Sequence, residues 1–194
     1  MKKVLKNMFS LEGIDGSGKT TQAPLLKKSL TKFGFSVHIL KSPSESILGE
    51  FIRKNVRTFT PHLRNSLFIL DMQLELIKQE NEYSASDIFI WDRYIDSFYA
   101  SNPEMTIKEA NKLVIKMPIP IKTFWFNIDP SVVLKNRSQV TNEHSDPKWL
   151  LMKQERYEEL FYKNSDRIIN INAQQPINLI TDIITRNIIK IMQT

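Results

Sequence analysis

The chain has 194 residues, 41% hydrophobic and 25% charged, with no cysteine and a formal charge of +6. That length and composition read as one soluble domain, 1–194, able to bury about 70% of its unfolded surface. They exclude a disulfide framework and a thiolate metal site, and no apolar stretch approaches the roughly 20 residues that span a bilayer.

Val4 to Leu11 reads as a buried strand, polar only at Lys6, Asn7 and Ser10. A glycine-rich turn follows. From Thr20 to Phe33 apolar residues recur at helical spacing (Ala23, Leu26, Leu30, Phe33), and Gly34 is placed to stop that helix. Phe35 to Leu40 reads as a second strand and Ile47 to Val56 as a helix. Pro61 suits the first turn of a longer helix reaching about Asn81, with Leu67, Leu70, Leu74 and Ile77 on one face. Asp87 to Trp91 is short and strongly apolar, as a strand covered on both faces of a parallel sheet must be. Helical patterns resume at Tyr94 and Thr106, and Ile121 to Ile128 reads as a strand ended by Asp129-Pro130. Val132 to about Arg137 and Trp149 to Tyr162 read as helices around a polar stretch, Ser138 to Lys148. Ile168 to Ile171 is a last short strand before a terminal helix opened by Pro176. Strands alternating with helices imply an α/β fold with a parallel sheet and right-handed crossovers.

The positive excess favours anionic partners. Lysines and arginines are scattered without a dense tract, so a pocket for phosphates is expected rather than a nucleic-acid surface. Met1 to Ser10 is basic, but Lys6 and Asn7 interrupt it before a signal-peptide core can form. A cytoplasmic protein without a membrane partner is the expectation.

Gly13-Ile14-Asp15-Gly16-Ser17-Gly18-Lys19-Thr20 has the pattern Gly-x-x-x-x-Gly-Lys-Thr, between an expected strand and an expected helix. Glycines let backbone N–H groups approach phosphates without a β-carbon in the way, and the helix N-terminus adds partial positive charge. Lys19 would reach the outer phosphates of a nucleoside triphosphate, and the Thr20 hydroxyl would hold Mg²⁺. Three of the five glycines fall in this loop.

Ile88-Phe89-Ile90-Trp91-Asp92 is an apolar strand delivering a carboxylate at its C-terminal edge, where ligands collect in open α/β sheets. Asp92 could hold the Mg²⁺ shell, and Arg93 could neutralise charge on a phosphoryl group in flight. A helix-capping Asp beside a solvated Arg is the plainer alternative.

Phe9 to Gln22 and Trp91-Asp92-Arg93-Tyr94-Ile95-Asp96-Ser97 together resemble the opening segment and the Asp-Arg-Tyr element of the thymidylate kinase family. Weaker likenesses lie at Leu48 to Arg53, Leu67-Phe68 and Arg156-Tyr157. The resemblance implies a P-loop NTPase fold, three αβα layers around a five-stranded parallel sheet, with ATP and Mg²⁺ as donor and a nucleoside monophosphate as acceptor. It implies a triphosphate cradle from Gly13 to Thr21, with Asp15 near the acceptor's sugar and the transferring phosphate. Arg93 and Ser97 would meet the acceptor, Phe68 would stack on its base, and Lys41 and Arg53 would serve the acceptor side. It also implies a homodimer, and a lid at about 138–148 that carries an arginine when, as here with Ser17, the phosphate loop has none. Arg137 is the first candidate for that lid charge and Arg156 the second.

Three departures fall on the acceptor side. Lys41-Ser42-Pro43 stands where the family has an arginine-containing segment, Met72 follows Asp71 where it has Asp-Arg, and Ala100-Ser101-Asn102 replaces Ala-Tyr-Gln. A deoxynucleoside kinase, or an ATP-binding member that transfers nothing, therefore stays open beside a kinase acting on dTMP. His38, His62 and His144 lack metal-ligand spacing.

Overall fold

The computed structural model describes residues 3–136, 146–162 and 165–193. Arg137, His144 and all but the last three residues of the 138–148 stretch lie outside them.

Every expected strand forms: β1 (Val4–Glu12), β2 (Val37–Lys41), β3 (Ile88–Asp92), β4 (Ile119–Asn127) and β5 (Ile168–Asn172). Among the described residues the helices are α1 (Lys19–Lys32), α2 (Ile47–Asn55), α3 (Pro61–Glu82), α4 (Ile95–Ala100), α5 (Ile107–Leu113), α6 (Pro130–Asn136), α7 (Pro147–Tyr162) and α8 (Ile177–Met192). Local chemistry sets their ends. Gly34, at φ +87°, closes α1: the Phe35 N–H reaches the Leu30 carbonyl and the Gly34 N–H that of Thr31. Thr60 caps α3 through the Leu63 N–H, with Pro61 in its first turn.

The strands run parallel in the order β2-β3-β1-β4-β5. Period-two alternation splits their side chains between two cores. Phe9, Leu11, Ile88, Ile90, Phe124 and Phe126 pack under α1 and α8. Met8, Phe89, Trp91 and Trp125 pack with residues of α3, α4 and α7 on the other face. All five residues of β3 are buried, as its continuous apolar run requires.

The expected stripe on α3 behaves differently. Leu70, Leu74 and Ile77 are about half exposed, and the helix buries Asn65, Asp71, Met72 and Gln79 instead. Periodicity gave the helix correctly but not the side it turns to the core.

The strand order places the site. From β1 the chain crosses to one side of the sheet, and from β3 it crosses back to the other. The loops leaving β1 and β3 therefore part company and leave a crevice above the strand ends. Leu11 pairs in register with Asp92, so the glycine loop and Asp92-Arg93 face each other across it.

Candidate active site

The loop between β1 and α1 is built from positive φ angles at Gly13, Gly16 and Gly18. Two of these admit nothing else. A β-carbon on Gly13 would lie 2.6 Å from the Phe126 carbonyl oxygen, and Gly18 starts α1 at φ +96°. Ile14 is fully buried and pins the loop to the core, while Asp15 and Gly16 reach its mouth. Ser17 donates its N–H to the Ile14 carbonyl (3.3 Å), and the Thr21 N–H turns back to Gly18 (3.1 Å).

Lys19 is buried and folds over the loop, its Nζ donating to the Ile14 carbonyl (2.7 Å) and the Ser17 hydroxyl (3.0 Å). Burial, reinforced by Arg93, pushes its ammonium down to about 7, against the pull of Asp15 and Asp92. An anion beside it would restore the charge.

The Thr20 hydroxyl donates to Asp92 Oδ2 at 2.7 Å. Asp92 Oδ1 is buried without a hydrogen-bond partner. A carboxylate oxygen left so, next to a threonine hydroxyl at a phosphate loop, fits a hydrated divalent cation. Among the described residues no cluster of three acidic or histidine side chains could hold a metal, so a cation here would need the phosphates as co-ligands.

Arg93 is the one described non-glycine residue with positive φ, at +71°. Its N–H still bonds the Leu11 carbonyl (3.1 Å), so the chain turns sharply as β3 ends and swings the guanidinium over the glycine loop. Nη2 meets Asp15 Oδ1 at 2.6 Å and Nη1 donates to the Gly13 carbonyl at 3.1 Å. Burial opposes its charge, but Asp15, with Tyr157, Asp92 and Glu12 around it, holds that charge more firmly than on a free arginine.

Behind this pair Glu12 is fully buried and accepts from the Tyr94 N–H (2.8 Å), the Ser97 hydroxyl and the Tyr157 hydroxyl (3.0 Å). Burial first, then the nearby Asp96, lifts its pKa well above the carboxylate range. Ser97, expected at the acceptor, is thus committed to this network and stands behind Arg93.

Of the other residues expected on the acceptor side, Lys41 and Arg53 flank the turn after β2. Lys41 pairs in register with Asp92 and lines a cleft of about 480 Å³ together with Thr20, Glu75 and Tyr83. Arg53 donates from α2 to the Pro43 and Ser44 carbonyls, while Asp71 takes the Ser44 N–H (2.7 Å) and hydroxyl (2.6 Å) from α3. Both therefore brace the turn. Phe68 is partly buried against the core, and Met72, 1% exposed, lies inside it. The Asn102 side-chain oxygen accepts from Arg64 (3.0 Å).

Two outcomes could not be read from spacing. Arg156, the second candidate for a lid charge, donates to the Asn102 and Met105 carbonyls and stacks on Tyr99 at 4.0 Å, so it ties α7 to the segment between α4 and α5. Lys153, one helical turn before Tyr157 and passed over in the sequence, is the α7 residue that reaches Asp15, with Nζ 3.2 Å from Oδ2. Its only sequence signal is a charge at the i, i+4 spacing of buried Tyr157 and Phe161.

These residues compose a glycine cradle with a guanidinium held over it by Asp15 and the Gly13 carbonyl. Residues 11–184 match the family model for thymidylate kinase. The chain is similar to a probable thymidylate kinase of Methanothermobacter thermautotrophicus, 35% identical over 176 residues that cover 87% of each chain. It is also similar to a probable thymidylate kinase of Methanosphaera stadtmanae, 29% identical over 192 residues, 94% of this chain and 97% of that one. A thymidylate kinase of Exiguobacterium sp. is 27% identical over 197 residues, 92% of each. The chain belongs to the thymidylate kinase family, whose members are ATP-dependent phosphotransferases.

Proposed function

We propose that this chain transfers the γ-phosphoryl group of ATP to the phosphate of dTMP, giving dTDP and ADP, as one kinase unit over 1–194 with its lid at about 138–148. The observation that carries the reading is the Arg93–Asp15 contact of 2.6 Å, which locks a phosphate-binding guanidinium against the donor loop itself. A guanidinium at this place serves the phosphoryl group in flight and, when the acceptor is a monophosphate, the acceptor's phosphate as well. The family match does not favour a deoxynucleoside kinase or an inert member.

In this reading the backbone from Gly13 to Thr21 wraps the triphosphate and Lys19 meets its outer oxygens. Thr20 and Asp92 hold Mg²⁺, which neutralises phosphate charge when bound. Arg93 contacts the acceptor phosphate, and Asp15 orients the guanidinium and the acceptor's sugar. Phe68 stacks on the base, with Lys41, Arg53 and Ser97 shaping the acceptor side; Arg137 remains a candidate lid charge. The chemistry needs little beyond alignment and charge neutralisation in a site shielded from water.

The half-exposed apolar row of α3, Leu70, Leu74 and Ile77, supports a homodimer that covers it. Sedimentation of Leu74→Glu should show a monomer where the parent is a dimer; a monomeric parent would refute the dimer. No described helix is long and apolar enough to cross a membrane, and we place the protein in the cytoplasm.

An ADP-coupled assay over a panel of monophosphates and nucleosides tests the function. Turnover with dTMP above the other acceptors is expected. Turnover with nucleosides alone, or with no acceptor, would overturn it.

A further inference from the structure

We propose that Lys153 is a third cation of the transfer site, the basic residue that α7 brings to the phosphoryl group in flight. The inference rests on the functional reading above and adds a residue to it.

The geometry is that of one carboxylate shared by two cations. Asp15 gives Oδ1 to Arg93 at 2.6 Å and Oδ2 to Lys153 at 3.2 Å. Both lysines of the site, Lys19 and Lys153, are buried. They lie close enough to Arg93 that its charge disfavours theirs: burial first and Arg93 second push Lys153 down to about 8. Lys19, Arg93 and Lys153 therefore face Asp15, with Asp92 set behind the Thr20 hydroxyl. Asp15 carries two cations with only the buried Glu12 as a further carboxylate near both, and a second desolvated ammonium is costly unless something balances it. Phosphates bound in the glycine loop would supply that balance.

The helix is built to deliver this ammonium. Leu150, Lys153, Gln154, Tyr157, Leu160 and Phe161 form the buried face of α7. Leu150 and Tyr157, both fully buried, seat the helix on either side of Lys153, and the Tyr157 hydroxyl is tied to Glu12 at the root of the loop. The Trp149 ring lies 5.9 Å from Nζ. The other basic residues of described α7 do not compete: Lys148 is exposed and Arg156 is spent on the Asn102 and Met105 carbonyls.

In the transfer an acceptor phosphate oxygen bonds to the γ-phosphorus as that atom's bond to the β–γ bridging oxygen breaks, the electron pair leaving with ADP. Lys153 keeps its proton throughout and meets the negative charge on the phosphoryl oxygens, a contact that strengthens toward the transition state.

The test compares Lys153→Met, which keeps the stem and removes the charge, with Lys153→Arg, which keeps the charge. Thermal midpoint, ATP affinity and steady-state kinetics are measured on each. Lys153→Met is expected to stay folded and lose about 100-fold in kcat, with both KM values within about threefold of the parent. Lys153→Arg is expected to recover part of the loss; should Lys153→Met not fold, Lys153→Gln takes its place. A kcat within about threefold of the parent, or a loss confined to KM, would overturn the assignment. A parent with no acceptor-dependent turnover overturns the functional reading and this inference with it, whereas an active parent with an undiminished Lys153→Met overturns this inference alone.

Discussion

The donor and acceptor halves of this site are made in different ways. The proposed donor half is a run of consecutive residues, 13–21, whose backbone would do most of the binding, and its partners Asp92 and Arg93 are adjacent in sequence. The proposed acceptor half would be assembled by side chains from β2, α2, α3 and α4, and several of them are already engaged: Arg53 and Asp71 with the turn after β2, Ser97 with Glu12, Asn102 with Arg64. A backbone cradle tolerates little change, since Gly13, Gly16 and Gly18 all hold positive φ. A side-chain wall can be rebuilt piece by piece, and all three departures from the family pattern fall there.

If that contrast is right, damage to the donor half should be severe and unselective. Lys19→Ala is expected to lower kcat on the order of 10³-fold for every acceptor, and a variant with parental kcat would sink the donor assignment. Gly13→Ala drives a β-carbon to 2.6 Å from the Phe126 carbonyl at a φ of +144°. It should cost about 2–4 kcal/mol and weaken ATP binding along with it, read as a lower thermal midpoint and a raised Kd; an unchanged midpoint would mean the loop can move away.

The acceptor half should respond more mildly and more selectively. Phe68→Ala is expected to raise the acceptor KM about tenfold, the worth of a base stacked on an aromatic ring, and to leave the ATP KM unmoved. Equal changes in both would place Phe68 in the core alone. Met72→Arg, which would supply the family's arginine, is expected to destabilise the fold because it puts a guanidinium inside the core.

A further effect concerns pH. With its pKa pushed down to about 7, the Lys19 ammonium is charged before and after ATP binds at lower pH, so affinity is flat there. Above pH 7 the free protein has lost the proton that the bound phosphates favour, so binding takes one up and affinity falls as pH rises. Between pH 6.5 and 8.5 the ATP Kd is expected to rise about 20-fold, with proton uptake visible by calorimetry in buffers of different ionisation heat. A flat Kd would mean Lys19 keeps its charge in the free protein.

Much of this was legible in the chain itself. The element order, the cradle and the Asp92-Arg93 edge could be read because each is carried by near neighbours: strand, turn and helix start within one stretch, and β3 is too apolar to lie anywhere but between two other strands. Lys153 was not legible, being 138 residues from the carboxylate it meets. Nor was the use of Arg156, whose partners come from another helix connection, or the outward turn of the α3 stripe. An apolar row at helical spacing shows that a helix has a face, and only its neighbours decide which way that face looks.

The sequence by itself determined the donor chemistry and the parallel α/β plan, because backbone sterics and strand burial are local properties. Tertiary structure alone decided which cations gather around Asp15 and which acceptor-side groups are already spoken for. Those outcomes depend on through-space charge and on competition for hydrogen bonds between segments that no spacing rule connects.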